Sequence, residues 1–296
     1  MKKIKRKMVG VVLLNYNNAS EILACIENLR SIGHPTSSII VVDNHSTDDS
    51  FEYLKNTLPA DVTLLEAKVN GGFGMGNNIG ISLANKMEFE YLCVMNSDVI
   101  FHDNFLKPLT NYLKNHPEVG LVGPCVCYTE NNLIASCGGK INFYTGKSRF
   151  NYTGTVYTDR GAVQCDYLSG GCVVTRMSTL RKVGMIPEQY FLNYEDNEWS
   201  INFIRAGFKV VCLSSVVVFH DSGSTIGSIY GLQSYFMARN RILFERRNAK
   251  LFQKIIFYPY LLLVVTYSLF SKKRRHLVRA YLDGFTEKNR YQYLIR

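Results

Sequence analysis

The sequence predicts an α/β domain with a mostly parallel central sheet flanked by helices, followed by a helical C-terminal extension. Three observations lead there. Short apolar runs alternate with helix-period segments through the first 125 residues, polar residues collect where four of those runs end, and the last fifth of the chain turns basic and strongly apolar. A length of 296 residues accommodates a domain and an appendage. With 47% hydrophobic and 20% charged residues, a folded body is expected.

The apolar run from Met8 to Leu14 stops at Asn15 and reads as a first strand. It is short for a signal-peptide core, and no small-residue cleavage site follows it. In "NNASEILACIENLRSIG", Ile22, Cys25, Ile26 and Leu29 share one helical face and Gly33 can close the helix. Asn18, with Glu21 three residues on, resembles a capping box. "SIIVVD" is the second strand, 47–56 a helix, "VTLLE" the third strand and "YLCVM" the fourth. The Gly-rich stretch at 70–78 reads as a loop leading into a helix over 75–86. This alternation argues for βαβ units and a sheet covered on both faces. From 128 to 166 the texture changes to Gly, Thr, Tyr and Asn, which predicts hairpins inserted against the main sheet. A helix over Tyr194 to Ala206, closed by Gly207, then puts Glu195 and Asp196 in its first turn, where acids suit the helix dipole.

The net charge of +10 is unevenly placed. Residues 239–296 carry 14 Lys and Arg against three acids, whereas residues 1–238 carry 20 against 21. The body is neutral, so the basicity of the tail and of the opening "KKIKRK" suits an anionic membrane surface and not a nucleic acid. "YFMARNRILFERRNAK" is expected to be a basic amphipathic helix. Ile255 to Phe270 is a 16-residue apolar run, about 24 Å as a helix, short of the roughly 30 Å hydrocarbon core. Basic clusters on both flanks favour a helix lying in the membrane plane or re-entrant over a crossing. A buried core helix or a homodimer contact is the alternative. The eight cysteines contain no CxxC pair, so reduced thiols in a cytoplasmic protein are expected.

In open α/β sheets ligands bind beyond the carboxyl ends of the strands, where Asn15 to Asn18, Asp43 to Ser46, Asn70 to Asn78 and Asn96 to Asp98 lie. Asp43 can accept hydrogen bonds from a base imide or ribose, or can serve the next helix as a cap. The glycines follow the third strand and not the first, so they indicate close backbone approach and not a dinucleotide fingerprint. Asp98, with the neutral oxygen of Asn96 two residues before it, can deliver ligands to a divalent cation that takes its remaining oxygens from a diphosphate; a strand-end turn is the alternative. Glu195 and Asp196 diverge by about 100° on a helix and offer a general base. His220, ending "VVVFH", is a candidate metal or phosphate contact or a structural histidine.

In order along the chain, "VVLLNYNN", "IIVVDNHSTDDS", "NGGFGMGNNIGI", "YLCVMNSDV", "YLSGGCVVTRMSTLRKVGMIPEQYFLNYEDNEWSINFIRAGFKV", "VVVFHDSGST" and "YFMARNRI" resemble glycosyltransferase family 2, in particular its bacterial rhamnosyltransferase-like branch with the GT-A nucleotide-sugar-binding fold. The resemblance covers residues 9–245. It implies a catalytic domain over 1–238, with a nucleotide-binding half at 9–125 and an acceptor half at 126–238, and an extension over 239–296. It implies that Asp43 contacts the base beside Asn15 and Asn17. Asn70, Gly72, Phe73, Asn77, Asn96 and Gly170 would line the donor pocket, and Arg239, of an Arg239-Asn240 pair, would meet a phosphate oxygen. Asp98 and His220 would hold Mg²⁺ or Mn²⁺, with Asp196 as the base and Glu195 supporting it.

The reaction implied is inverting transfer from a nucleotide-diphosphate sugar, dTDP-rhamnose or a UDP-hexose, to a hydroxyl of a saccharide or lipid-linked acceptor in cell-surface polysaccharide synthesis. The protein is expected at the cytoplasmic face of the membrane, held peripherally. Two departures stand out. The usual Asp-x-Asp is Asn96-Ser97-Asp98, leaving one carboxylate for the metal, and Glu198-Trp199 replaces the usual acid-Leu pair, with Trp199 expected in the core. A sugar-phosphate nucleotidyltransferase would instead place a Gly-rich, Arg- and Lys-containing loop after the first strand, where this chain has "NYNNAS". A nonenzymatic membrane-surface adaptor would leave the acids at Asp98 and Asp196 unexplained.

Overall fold

The computed structural model describes residues 9–220 and 231–291. The opening basic run, the residues just after His220 and the last five residues lie outside the described residues. The first half alternates as the sequence predicts: β1 Val9–Asn15, α1 Ala19–Ser31, β2 Ile39–Asp43, α2 Ser50–Thr57, β3 Thr63–Glu66, α3 Gly72–Lys86 and β4 Tyr91–Met95. Then come β5 Val99–Ile100, α4 Leu106–Asn115, β6 Val119–Tyr128, β7 Ile134–Ser136, β8 Gly139–Asn142, β9 Lys147–Phe150, β10 Ala162–Cys165, β11 Cys172–Arg176, α5 Met177–Val183, α6 Glu195–Arg205 and β12 Lys209–His220. The chain closes with α7 Leu232–Asn248, α8 Leu251–Phe270 and α9 Leu277–Thr286.

The main sheet runs β10-β12-β6-β11-β4-β1-β2-β3, with β5 pairing β12 and β7 pairing β6. Pairing is parallel through β4, β1, β2 and β3 and between β6 and β12, but β11 is antiparallel to both of its neighbours. Four consecutive parallel strands thus occupy one end of the sheet, a further parallel pair lies beyond the antiparallel β11, and the sheet as a whole is mixed. The strand period of two sends Val11, Leu13, Ile39 and Val41 into one core with Ile22, Ile26 and Leu29 of α1. Val12, Ile40 and Val42 point the other way, against Ile81 of α3 and Trp199 and Phe203 of α6. The predicted hairpin region supplies β7 and β10 to the main sheet and β8-β9 as a separate antiparallel pair. Ile141, on that pair, packs with Tyr167, Tyr190, Tyr194 and Phe244. All eight cysteines are free and buried.

Three sequence expectations change. Asn18 precedes α1 without a side-chain capping bond to a backbone N–H, and its side-chain Oδ1 instead accepts from the Ser20 hydroxyl. α7 is not an amphipathic surface helix: it is buried on most sides, its Phe236 and Ile242 packing against Ala280 and Tyr281 of α9. It also runs unbroken through residue 238, so the change in charge texture there is not an element boundary. α8 has 20 residues, about 30 Å, which removes the length objection to a span. Only Phe257, Leu261 and Ser268 of α8 are buried, so it is not a core helix of the single chain.

Candidate active site

The site forms where β1, β2, β4 and β11 end or begin. Parallel register sets Asn15 beside Asp43. The Asn15 amide donates to Asp43 Oδ2 at 2.7 Å, and the Ser46 hydroxyl and backbone N–H donate to the two Asp43 oxygens at 2.7 and 2.8 Å. Asp43 is 1% exposed. Its carboxylate therefore braces two strand ends, with its bonds to Asn15 and Ser46 occupying the oxygens expected to meet the base. Asn17 continues the bracing: its backbone N–H donates to Ser46 Oγ, and its Oδ1 accepts from the Thr47 N–H.

The glycine-rich stretch is the start of a helix and not a loop: α3 begins at Gly72. A Cβ at Gly72 would lie 2.1 Å from the Phe191 carbonyl oxygen, one at Gly74 2.7 Å from that of Pro187, and one at Gly76 2.5 Å from Leu14 Cδ1. The glycines let α3 lie directly on β1 and on the 187–191 segment. Asn70 Oδ1 accepts from the Asn44 amide and the Gly72 N–H, and the buried Asn77 amide donates to the Phe73 carbonyl. Asn70, Gly72 and Asn77 thus build the wall behind the cleft. Asn78, the last residue of the polar stretch noted in the sequence, ties α3 to the adjoining chain through Ile186 and Glu188.

A cleft of about 140 Å³ remains, lined by Asn15, Glu21, Phe73, Asn96, Ser97 and Asp98 among others. Asp98 Oδ2 lies 3.0 Å from His220 Nε2. Strand pairing brings them together, because Val99 of β5 is opposite His220 of β12. Among the described residues no group of three His, Cys, Asp or Glu could cage a metal. The Asp98 carboxylate beside an open cleft fits Mg²⁺ or Mn²⁺ that draws its remaining oxygens from substrate phosphate, and the His220 imidazole would suit Mn²⁺ as a further ligand. The Asn96 N–H donates to the Gly171 carbonyl at 2.9 Å.

Gly170 links this cleft to the acids. Its N–H donates to Asp196 Oδ2 at 3.4 Å, and a Cβ there would stand 3.0 Å from the Phe73 ring and 3.7 Å from Asp196 Cβ. Asp196 also accepts from the Asn197 N–H at 2.8 Å. The turn into α6 is left-handed at Phe191, Asn193 and Tyr194. The Asn240 amide holds it through the carbonyls of Tyr190, Leu192 and Asn193. Arg239 is buried, and its guanidinium donates to the carbonyls of Gln189, Glu287 and Lys288 and to Asn240 Oδ1. The expected phosphate contact is therefore replaced by a tie between this turn and the chain end. That role was invisible in sequence because every partner but Asn240 is a distant backbone carbonyl.

Burial raises the carboxyl pKa of both acids; the Asp196 charge pushes Glu195 further up, whereas bonds from Asn197 and Gly170 restrain Asp196. Glu195 Oε2 is buried without a hydrogen-bond partner. Of the two, ionisation is therefore favoured at Asp196. Glu198, a third acid that sequence reasoning left without a role, is held by Arg247, Tyr190 and Asn248. Burial alone would raise its pKa, but these partners outweigh that and lower it. Trp199 is core, edge-on to Phe203, with its N–H on the Gly184 carbonyl.

Comparison with known proteins agrees with this geometry. The chain is 23% identical to a dTDP-rhamnosyl transferase RfbF of Shigella flexneri, over 97% of this chain and 91% of that one. It is 23% identical to an N-acetylglucosaminyl-diphospho-decaprenol L-rhamnosyltransferase of Mycobacterium tuberculosis, over 74% of this chain and 78% of that one. The fold is similar to that of a mannosyltransferase from Pyrobaculum calidifontis solved with GDP-Man and Mn²⁺ (TM-score 0.58, 16% identity, 96% of this chain and 86% of that one). These matches favour the transferase reading over a nucleotidyltransferase or an adaptor. The glycosyl transferase family 2 model matches residues 10–184, more than half of the chain, and the protein belongs to that family.

Proposed function

We propose that the protein transfers a hexosyl group, rhamnosyl from a dTDP sugar or a hexose from a UDP sugar, with inversion, to a hydroxyl of a lipid-linked saccharide. The observation that carries this is the placement of Asp196 one glycine away from the Phe73 wall of the Asp98 cleft. Asp196 accepts the proton of the acceptor hydroxyl as that oxygen bonds to the anomeric carbon and the bond to the nucleotide diphosphate breaks. The Gly170 N–H orients the carboxylate, and burial together with the Asp196 charge disfavours a second negative charge at Glu195. A divalent cation held by Asp98 with His220 would neutralise charge gathering on the leaving diphosphate.

The lipid-linked acceptor and a peripheral position at the cytoplasmic face of the membrane are supported by α8. Leu262, Leu263, Tyr267 and Phe270 are exposed along it, and Lys272 to Arg275 follow it. Basic residues on both flanks support an in-plane helix; a homodimer contact through the same apolar face is the competing use. Calorimetric titration with UDP and dTDP, with Mg²⁺, Mn²⁺ or EDTA, tests the central reading. Metal-dependent binding lost in Asp98→Ala supports it, and absence of nucleotide binding to the folded wild type removes it.

A further inference from the structure

A second cavity, of about 360 Å³, is lined by Lys147, Ser148, Tyr194, Arg241, Arg274 and Tyr281 among others, and among the described residues no carboxylate lines it. Three of these side chains are basic. Lys147 begins β9, Arg241 lies within α7, and Arg274 stands in the turn between α8 and α9. Three separate parts of the chain thus bring positive charge to one cavity.

Arg241 shows that the cavity is more than a collection of surface cations. It is 6% exposed, its Nε–H donates to the Thr145 carbonyl, and its Nη2 is buried without a hydrogen-bond partner. Its guanidinium lies 5.1 Å from the centroid of the Tyr260 ring, and the Tyr260 hydroxyl also draws on Arg241 and Lys147, which still leaves Nη2 open. Glu245, one turn further along α7, does not supply the missing acceptor, because both of its carboxyl oxygens are themselves without hydrogen-bond partners. A buried guanidinium with an open donor is unfavourable unless an anion completes it, and its planar fork suits phosphate oxygens.

Two neighbours narrow the choice of anion. Tyr194, in the cavity wall, immediately precedes Glu195 and Asp196. Arg274 follows the exposed apolar α8, whose last residue, Phe270, is exposed to solvent. The cavity wall thus includes a residue two positions before Asp196 and another four positions after the end of α8.

We propose that this cavity holds the phosphate or diphosphate that joins an acceptor saccharide to its lipid, with Lys147, Arg241 and Arg274 as its contacts. The saccharide then extends toward Asp196 and the lipid toward α8. This rests on the transferase reading of Asp196 and names the acceptor chemistry for it.

The test is equilibrium binding of farnesyl diphosphate to the full chain in EDTA, which suppresses metal-assisted diphosphate binding at the Asp98 cleft. The wild type is compared with Arg241→Gln and with the double variant Lys147→Ala/Arg274→Ala. Binding should weaken about tenfold or more in each, as expected for lost charge-assisted hydrogen bonds. Nucleotide binding with Mg²⁺, measured in parallel, reports whether each variant is folded. Should Arg241→Gln misfold, the double variant decides, since Lys147 and Arg274 are exposed. Equal affinity for wild type and double variant overturns the proposal. So does displacement by inorganic pyrophosphate, or by phosphatidylglycerol vesicles, as effective as displacement by the lipid diphosphate, because the site would then recognise a free anion or a headgroup. Failure of the transferase reading has a different signature: no nucleotide binding to the wild type while farnesyl diphosphate still binds.

Discussion

Asp98 and His220 meet at 3.0 Å because β5, which follows Asp98 directly, pairs with the end of β12. The contact is set by strand register and not by flexible side chains. His220→Ala should weaken metal-supported nucleotide binding about tenfold, the lower end of what loss of a group supporting a metal site costs. Binding without metal should change less. Equal loss in Mg²⁺ and in EDTA would show that His220 serves the fold and not the cation.

As the proposed base, Asp196 should set the pH dependence of transfer. Its carboxyl is raised from the ordinary Asp range to about 6, with burial as the main cause. The base must be ionised, so transfer should be present above that value and fall as pH drops through it, well before an ordinary Asp would protonate. Asp196→Asn should lower the turnover rate about 10²- to 10⁴-fold with donor binding intact. A flat rate between pH 5 and pH 7 would remove Asp196 from the role of base.

Glu198 and Arg247 form an ion pair whose partners differ in burial: the Glu198 side chain is 5% exposed and that of Arg247 47%. Arg247→Ala leaves a buried carboxylate short of a cation and should cost about 3 kcal/mol. Glu198→Gln leaves an arginine free to hydrate and should cost less. The Glu198 pKa is lowered, so the stabilisation from this pair is present above the unfolded-state value and is lost as pH falls through the folded one. Urea unfolding of both variants checks the order, and the reverse order would mean that packing, not charge, dominates here.

Gly72 has φ +79° and no room for a Cβ beside the Phe191 carbonyl. Gly72→Ala should destabilise the fold by more than about 1 kcal/mol. Activity should also fall, since Phe191 begins the turn that aims α6. A variant as stable and as active as the wild type would show that α3 can shift away from that turn.

Leu262→Glu, Leu263→Glu and Phe270→Ser change exposed positions of α8 and should leave thermal unfolding unchanged while reducing sedimentation with anionic vesicles. Deleting 251–296 would be a poor test, because α9 covers α7 and its Asp283 accepts from the Tyr235 hydroxyl. Unchanged vesicle binding together with loss of self-association would assign the apolar face to a dimer.

The sequence by itself determined the alternating strands and helices, the two-sided core and the acids at Asp98, Glu195 and Asp196, because strand and helix periods and strand-end polarity are local signals. It also carried enough ordered motifs to indicate the family. Only the tertiary structure decided which polar residues face the cleft. Asp43, Asn70 and Asn77 turned inward as braces, and Arg239 was consumed by backbone carbonyls. It likewise turned the Gly-rich stretch into the first turns of α3, where missing side chains allow close approach to the 187–191 segment. The physical reason is the same in each case. A polar side chain looks alike in sequence whether it meets a ligand or a neighbour, and the carbonyl or carboxylate that claims it first is brought near only by folding.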